Sequence, residues 1–221
     1  MKLKKIASLM LAGVMAVSML AGCGESSSSS SEPTTPPTTT VTTGIADAVN
    51  AVRSTREKNT LNLTYTESSS LAEILQVVAQ DAYSKNSDAV KTAGGADGYD
   101  VAKYVGDQDS MNKKISDKLT GGAVAGGYND INGTIDTKGT HKYVRVYTVG
   151  GNYSIEAAGN MVATMAGQGL HVVTDDVAVS GTGTTADYAA DIAAVKVTSN
   201  VDSKVNAWVI AVVYTQTVTA A

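Results

Sequence analysis

Apolar residues recur at helical spacing in several parts of the chain. The first predicted helix runs from Gly44 to about Lys58, with the apolar stripe Ile45, Ala48, Val49 and Val52. The second begins near Ser70, where Ser70 and Glu73 have the spacing of a capping box. Its stripe is Leu71, Ile74, Leu75, Val78 and Ala82. A later helix carries Ile155, Ala158, Val162 and Met165 on one face. A weaker pattern predicts one more helix over Val101–Leu119.

The pattern changes to that of strands in the C-terminal half of the chain. Tyr143–Val149 alternates in the manner of a strand, and Leu170–Val179 is predicted to be extended. Two further strand-like runs, Asp191–Thr198 and Ala207–Thr217, flank a hairpin loop at 200–204. The second run is apolar on both faces from Trp208 to Tyr214, which predicts a central, covered strand. Helices followed by an antiparallel hairpin favour an α+β fold over a parallel α/β sheet.

Composition limits the classes of protein that fit this pattern. The chain has 221 residues, of which 43% are hydrophobic and 17% charged. These values exclude a wholly disordered chain and a multi-pass membrane protein. The net charge of −4 gives no reason to expect a nucleic-acid partner. One Cys and two His argue against a His/Cys zinc site, so neither a metal nor another cofactor is predicted.

The N-terminus has the features of a processing signal rather than of a folded element. A basic start, Met1–Lys5, precedes the uncharged apolar run Ile6–Ala21, which is short for a membrane-spanning helix. The run ends in Leu20-Ala21-Gly22-Cys23 and resembles the signal of bacterial lipoproteins. The resemblance implies that residues 1–22 are removed and that Cys23 carries a diacylglyceryl group. It also implies a location at the extracytoplasmic face of the cell membrane. The alternative is an ordinary secretory signal that happens to contain Cys.

Residues 23–43 are predicted to form a tether. The segment is rich in Ser and Thr and holds all three prolines of the chain, so it has little apolar surface to bury. Twenty such residues reach ~60 Å at most. The alternative is a glycosylated stalk, which Ser/Thr/Pro composition also permits. After cleavage, 14 basic and 21 acidic residues would remain, giving a net charge of −7. Anionic lipid would mildly repel such a body.

Residues 44–221 have the composition of one folded domain. Its first helix contains Ala48–Arg53, which resembles the opening helix of bacterial CAP domains, the superfamily of cysteine-rich secretory, antigen 5 and pathogenesis-related proteins. Tyr153–Ala158 resembles a later segment of that family. Ile192–Lys196 and Ala207–Val212 are similar to the final strand pair of the CAP family. The resemblance implies a CAP-like domain in which helices and an antiparallel sheet form α-β-α layers.

The chain departs from the CAP pattern where that family has its cleft. The family cleft usually carries two His and two acidic residues. Here the corresponding segments are Val149–Asn152, which lacks the acid, and Ala166–Gln168, in which Gln replaces His. His141 and His171 are both out of register with the family positions. The resemblance therefore implies that the cleft has lost its metal-binding capacity. The candidate binding residues are His141, Asn152, Glu156, Gln168 and His171.

The sequence is compatible with two functions. The first is a lipid-anchored binding or interaction module of the cell envelope, with no catalytic residues. Its partners would be the membrane, through Cys23, and a cell-wall, polysaccharide or protein ligand. The second is an envelope hydrolase acting on peptidoglycan or peptides through acidic residues and His141 or His171. A His within ~4 Å of a carboxylate in a cleft would favour the hydrolase.

Overall fold

The computed structural model describes residues 38–84, 99–101, 111–121, 130–131, 133–170, 173, 183–198 and 206–221. The helices are α1 (Ile45–Ala51), α2 (Thr55–Asn59), α3 (Ser69–Ser84), α4 (Met111–Ser116) and α5 (Ile155–Leu170). The strands are β1 (Thr38–Thr42), β2 (Tyr65–Glu67), β3 (Tyr99–Val101), β4 (Gly139–Gly150), β5 (Thr184–Thr198) and β6 (Asn206–Ala220). This mixture of helices with a largely antiparallel sheet confirms the predicted α+β class.

The strands form one sheet in the order β1-β5-β6-β4-β3. Neighbours in this order are antiparallel, and β2 pairs with β5 in parallel on the edge that β1 also uses. The predicted hairpin is confirmed, because β5 and β6 pair from Thr184↔Ala220 to Thr198↔Asn206. Its predicted loop at 200–204 lies outside the described residues. β6 has a long strand on each side, so its predicted central place is also confirmed.

Two clusters of buried side chains lie on opposite faces of the sheet. Alternate residues of β6 divide between them, because successive side chains of a strand point to opposite faces. The cluster on the first face takes Trp208, Ile210, Val212 and Tyr214 from β6, together with side chains of α1 and α5. The cluster on the second face takes Ala207, Val209, Ala211 and Val213, together with side chains of α3 and α4. The unbroken apolar run in β6 is therefore explained by burial on both sides.

The helix predicted from Gly44 to Lys58 is two helices in the structure. α1 ends at Ala51, and α2 begins after Ser54, whose side chain accepts a hydrogen bond from the backbone of Glu57. The carboxylate of Glu57 binds back to the Ser54 backbone and completes a capping box. Val52, predicted as part of the apolar stripe, is 46% exposed at the break. The local cap therefore outweighs the continuing apolar periodicity.

Other predicted boundaries also change. α3 begins one residue before Ser70, and its first turn is capped by Ser68, whose hydroxyl accepts from the Leu71 backbone at 3.3 Å. Within the segment predicted as a helix over Val101–Leu119, the structure has the end of β3 and the short helix α4, while residues 102–110 are not described. The segment predicted to be extended over Leu170–Val179 begins at the last residue of α5, and Val173 is its only other described residue.

The last part of the predicted tether lies in the sheet. Thr38–Thr42 is β1, which pairs with Ala194–Thr198 of β5. Four Thr and Val41 suit an edge strand because β-branched side chains favour extended backbone, and the last proline, Pro37, precedes them. Cys23 and the rest of the segment up to residue 37 lie outside the described residues. Across the part that is described, no helix is both long and apolar enough to cross a membrane.

Candidate functional site

The structure does not gather the predicted binding residues into one cleft. His141 lies near the start of β4, and Asn152 follows the end of that strand. The strand between them spans ~30 Å. Glu156 lies in the first turn of α5 and Gln168 in its last turn, ~18 Å further along the helix. His171 lies outside the described residues. Asn152 and Glu156 therefore flank the turn from β4 into α5, while His141 lies at the other end of β4 and Gln168 at the other end of α5.

His141 and Glu156 contact polar groups that are close to them in the sequence. The imidazole Nε2 of His141 lies 2.7 Å from the backbone oxygen of Thr137. In the described part of the chain, no carboxylate is hydrogen-bonded to His141. Asn152, Glu156 and Gln168 are exposed. The backbone N–H of Glu156 itself, followed by the hydroxyl of Ser154, lowers the pKa of the Glu156 carboxyl. Glu156 is therefore an ionised first-turn carboxylate, a common feature of helix N-termini.

A buried carboxylate that the sequence analysis did not single out lies on the first face of the sheet. Glu57 has no exposed surface, and three donors reach its carboxylate. Tyr65 donates its hydroxyl to Oε1 at 2.7 Å, while Ser54 donates its backbone N–H at 2.8 Å and its hydroxyl at 2.6 Å to Oε2. The Tyr65 hydroxyl also lies 3.4 Å from that of Tyr214, with the two rings edge to face. We call Ser54, Glu57, Tyr65 and Tyr214 the Glu57 cluster.

Local sequence explains how the Glu57 cluster is assembled. The capping box places the Glu57 carboxylate at the start of α2, facing the core. Tyr65 is brought to it by Asn50 of α1, whose side-chain nitrogen donates to the Tyr65 carbonyl at 2.7 Å. The Asn50 oxygen accepts from the Tyr65 backbone N–H at 3.0 Å. The Ser54-x-x-Glu57 spacing was visible in the sequence, but the apolar stripe of the longer predicted helix obscured it.

A second group of buried and half-buried polar side chains lies further along the same face of the sheet. We call Thr134, Tyr143, Tyr188 and Gln216 the Gln216 cluster. Gln216 has no exposed surface, and its side-chain nitrogen donates to the Ile131 carbonyl at 3.0 Å and to the Tyr188 hydroxyl at 3.1 Å. Its oxygen accepts from the Thr134 hydroxyl at 2.7 Å, and Thr134 also bonds the hydroxyl of Tyr143. Sequence alone gave no sign of this cluster, because its members are 82 positions apart at Thr134 and Gln216.

Burial raises the pKa of one tyrosine in each cluster, Tyr65 and Tyr143. Loss of solvent raises the pKa of Tyr65 well above its ordinary value, and the nearby Glu57 carboxylate raises it further. The pKa of Tyr143 is also raised, mainly by burial and further by Asp130, against the opposing hydrogen bond of Thr134. Both phenols are therefore protonated at neutral pH. They donate hydrogen bonds and supply neither a base nor a nucleophile there.

The geometry indicates what the Glu57 cluster can do chemically. Both carboxylate oxygens already accept hydrogen bonds, and α5 closes over them, since a Cβ added at Gly167 would lie 3.4 Å from Oε2. A general base must reach a proton on a substrate, and Glu57 is shielded from one. The cluster joins α1, α2 and the sheet. Among the residues that the structure describes, no group of three His, Cys, Asp or Glu is placed to hold a metal ion.

Comparison with known proteins adds no assignment. No protein-family model matches the chain, and neither the curated proteins nor the solved structures contain a match to it.

Proposed function

We propose that this protein is a bacterial lipoprotein, anchored through lipid on Cys23 at the extracytoplasmic face of the cell membrane. Its folded part binds a ligand of the cell envelope and catalyses no reaction. One observation carries the anchor: Leu20-Ala21-Gly22-Cys23 ends an uncharged apolar run and holds the only Cys of the chain. Two acyl chains give stable anchoring where one gives only marginal binding.

The beginning of the sheet at Thr38 supports a spacer between lipid and domain. The 14 residues 24–37 separate Cys23 from β1, and they hold a serine run and all three prolines. At the polyproline rise of about 3.1 Å per residue, a segment of this length would span ~43 Å. Together with the net charge of −7 expected after cleavage, this length favours a body held near, but off, the lipid surface.

The separation of the candidate residues supports binding rather than catalysis. His141, Asn152, Glu156 and Gln168 do not share one cleft, and the buried acid Glu57 is shielded, with hydrogen bonds to both carboxylate oxygens. Convergent, accessible acid and base groups are what an envelope hydrolase requires. A binding module has no such requirement. The exposed ends of α5, with Glu156 and Gln168, are the candidate contact positions.

We further propose that the two core clusters correspond to the α-β-α layers of a CAP-like domain. α1 and α5 contribute to the cluster on one face, and α3 and α4 to that on the other. Two residues that carry the resemblance to CAP domains, Asn50 and Arg53, form hydrogen bonds in the structure. Asn50 holds β2, and Arg53 donates to the Leu63 carbonyl and, at 3.2 Å, to the Thr64 hydroxyl. A crystal structure with helices on one face only would contradict this proposal.

The anchor is tested by expressing the full chain in a bacterial host that processes lipoproteins. Wild type is expected in the membrane fraction, with the mass of a diacylglyceryl group on Cys23. Cys23→Ser should lack the diacylglyceryl mass and keep residues 1–22, while the control Ser27→Ala should be processed and lipidated as in wild type. A bare Cys23 thiol in the wild-type chain, or removal of residues 1–22 from Cys23→Ser, would contradict the proposal.

The binding role is tested with soluble residues 24–221 and purified peptidoglycan. We expect the protein to sediment with peptidoglycan and to release no soluble fragments detectable by mass spectrometry. Released fragments would support the hydrolase instead, and failure to sediment would exclude peptidoglycan as the ligand. Addition of zinc or calcium should leave the Tm within about a degree, because stabilisation requires preferential binding to the folded state. A rise of several degrees would argue against a metal-free module.

A further inference from the structure

β1 differs from the inner strands of the sheet in how it is held. None of its five side chains is buried, and its only apolar residue, Val41, is 42% exposed. In contrast, Val209–Val212 of the central strand are fully buried. Local opening requires little free energy where few apolar contacts are lost. β1 is therefore held by its backbone ladder to β5 without any fully buried side chain of its own.

β1 contacts the rest of the domain mainly through one neighbouring strand and one side chain of α3. It pairs with Ala194–Thr198 of β5, and the side-chain nitrogen of Gln76 in α3 donates to the Thr39 carbonyl at 3.2 Å. On the C-terminal side, Gly44 has a φ of 94° and makes the turn into α1. Ile45 and Val49 of α1 are fully buried. The chain is thus fixed to the core immediately after β1, so β1 can leave without disturbing α1.

We propose that β1 is a detachable latch that sets the reach of the tether. While it is paired, the tether is residues 24–37, which would span ~43 Å at the polyproline rise of about 3.1 Å per residue. On release, residues 38–43 join the tether and lengthen this span to ~62 Å at the same rise. Release also bares the backbone of β5 at Ala194–Thr198, to which β1 can return. The effect on reach rests on the lipid anchor proposed above, whereas the latch itself depends only on β1 and its contacts.

Hydrogen exchange measured by mass spectrometry on the unlipidated chain 24–221 tests the latch. We expect amides of Thr39–Thr42 to exchange at least ~100-fold faster than those of Val209–Val213, through opening that is insensitive to denaturant. Equal rates in the two strands, with the same dependence on denaturant, would overturn the proposal. Because this sample carries no lipid, its outcome is independent of the Cys23→Ser result.

Two glutamines of α3 provide a matched pair of variants. Gln76→Ala removes the hydrogen bond to Thr39 and should speed exchange in β1 by about 2- to 10-fold, with exchange in β6 unchanged. Gln80→Ala, one turn further along the same helix, should leave both strands unchanged. Equal acceleration of β1 and β6 by Gln76→Ala would show that β1 opens only with the whole sheet and would overturn the latch. No acceleration by Gln76→Ala would do the same.

Discussion

At the scale of single residues, Glu57 is a fully buried carboxylate held by three hydrogen bonds. A buried carboxylate is costly unless hydrogen bonds replace its solvent. Ser54 and Tyr65 supply those bonds, and they come from different segments of the chain. Glu57 therefore connects the start of α2 to β2. Because Glu57 is buried and its carboxylate is bonded to two segments, its substitution is expected to lower the stability of the fold rather than to change the protein surface.

Glu57→Ala is expected to lower the free energy of unfolding by about 2–4 kcal/mol, since it removes the capping box and leaves the buried Tyr65 hydroxyl without its acceptor. Urea unfolding would measure the change. The control is Glu73→Ala, because Glu73 is exposed on α3 and takes no part in the cap that Ser68 provides. That variant should stay within about 0.5 kcal/mol of wild type. A large loss at Glu73, or none at Glu57, would contradict the assignment of caps.

The raised pKa of Tyr65 predicts a loss of stability in alkali. Its contribution is present in full below the ordinary tyrosine pKa of about 10 and is lost as the pH rises through the higher pKa of the folded state. Unfolding free energy measured from pH 8 upwards should therefore decline above about pH 10. Tyr65→Phe should be less stable at neutral pH and should decline less steeply in alkali. Parallel curves for the two proteins would contradict burial of the ionisable phenol.

At the scale of elements, the contact between α1 and α5 depends on a glycine. A Cβ added at Gly159 of α5 would lie 2.5 Å from that of Ala48 in α1. Gly159 is therefore required for close approach rather than for backbone flexibility. This approach brings Asn50 to β2 and lets α5 cover Glu57. The position of the Glu57 cluster thus depends on how closely two helices pack.

Two glycines of α5 should respond to alanine with opposite signs. Gly159→Ala is expected to destabilise the fold by about 1–3 kcal/mol, because the added methyl overlaps Ala48. Gly167→Ala places its methyl at ordinary contact distances, the nearest being 3.4 Å, and should gain up to about 1 kcal/mol of helix propensity. Thermal unfolding of both variants would measure this contrast. A stabilising Gly159→Ala would contradict the α1–α5 contact.

At the scale of the whole molecule, β6 joins the two cores. Because its alternate residues belong to both clusters, loss of β6 from the sheet would expose both faces together. The two cores should therefore unfold as one unit, with β1 as the exception proposed above. A natural reporter exists for the first face, since Trp208 is the only Trp of the chain and donates to the Tyr153 carbonyl at 2.9 Å.

Urea unfolding followed by Trp208 fluorescence and by far-UV circular dichroism should give superimposable curves. The reason is that fluorescence reports the first face, while circular dichroism reports helices on both faces, and the shared strand couples them. Ile210→Ala, which leaves a cavity in the first cluster, should shift the midpoints of both curves together to a lower urea concentration. Two separate midpoints would contradict cooperative coupling through β6.

Sequence predicted those features that depend on neighbours along the chain. Apolar periodicity predicted α3, α5 and the β5–β6 hairpin, because each element needs a face or stripe to bury. It misplaced helix boundaries where a cap competed with the stripe, as at Ser54. The lipobox and its anchor stay a prediction from the sequence. The candidate binding residues Asn152, Glu156 and Gln168 come from segments that resemble the CAP family, whereas His141 and His171 are the two histidines of the chain and are out of register with it. The candidates that the structure describes do not share one cleft.

Linear pattern by itself determined the type of most elements, the α+β class and the covered character of β6. Tertiary structure alone decided which polar groups that are distant in the sequence meet. Tyr65 and Tyr214 lie 149 positions apart and share a buried contact. Thr39 of the predicted tether pairs with Val197. Such contacts depend on strand order, register and the approach of helices, all of which are non-local. A periodic pattern states that a face will be buried, but the partner on that face is set only when the whole sheet has assembled.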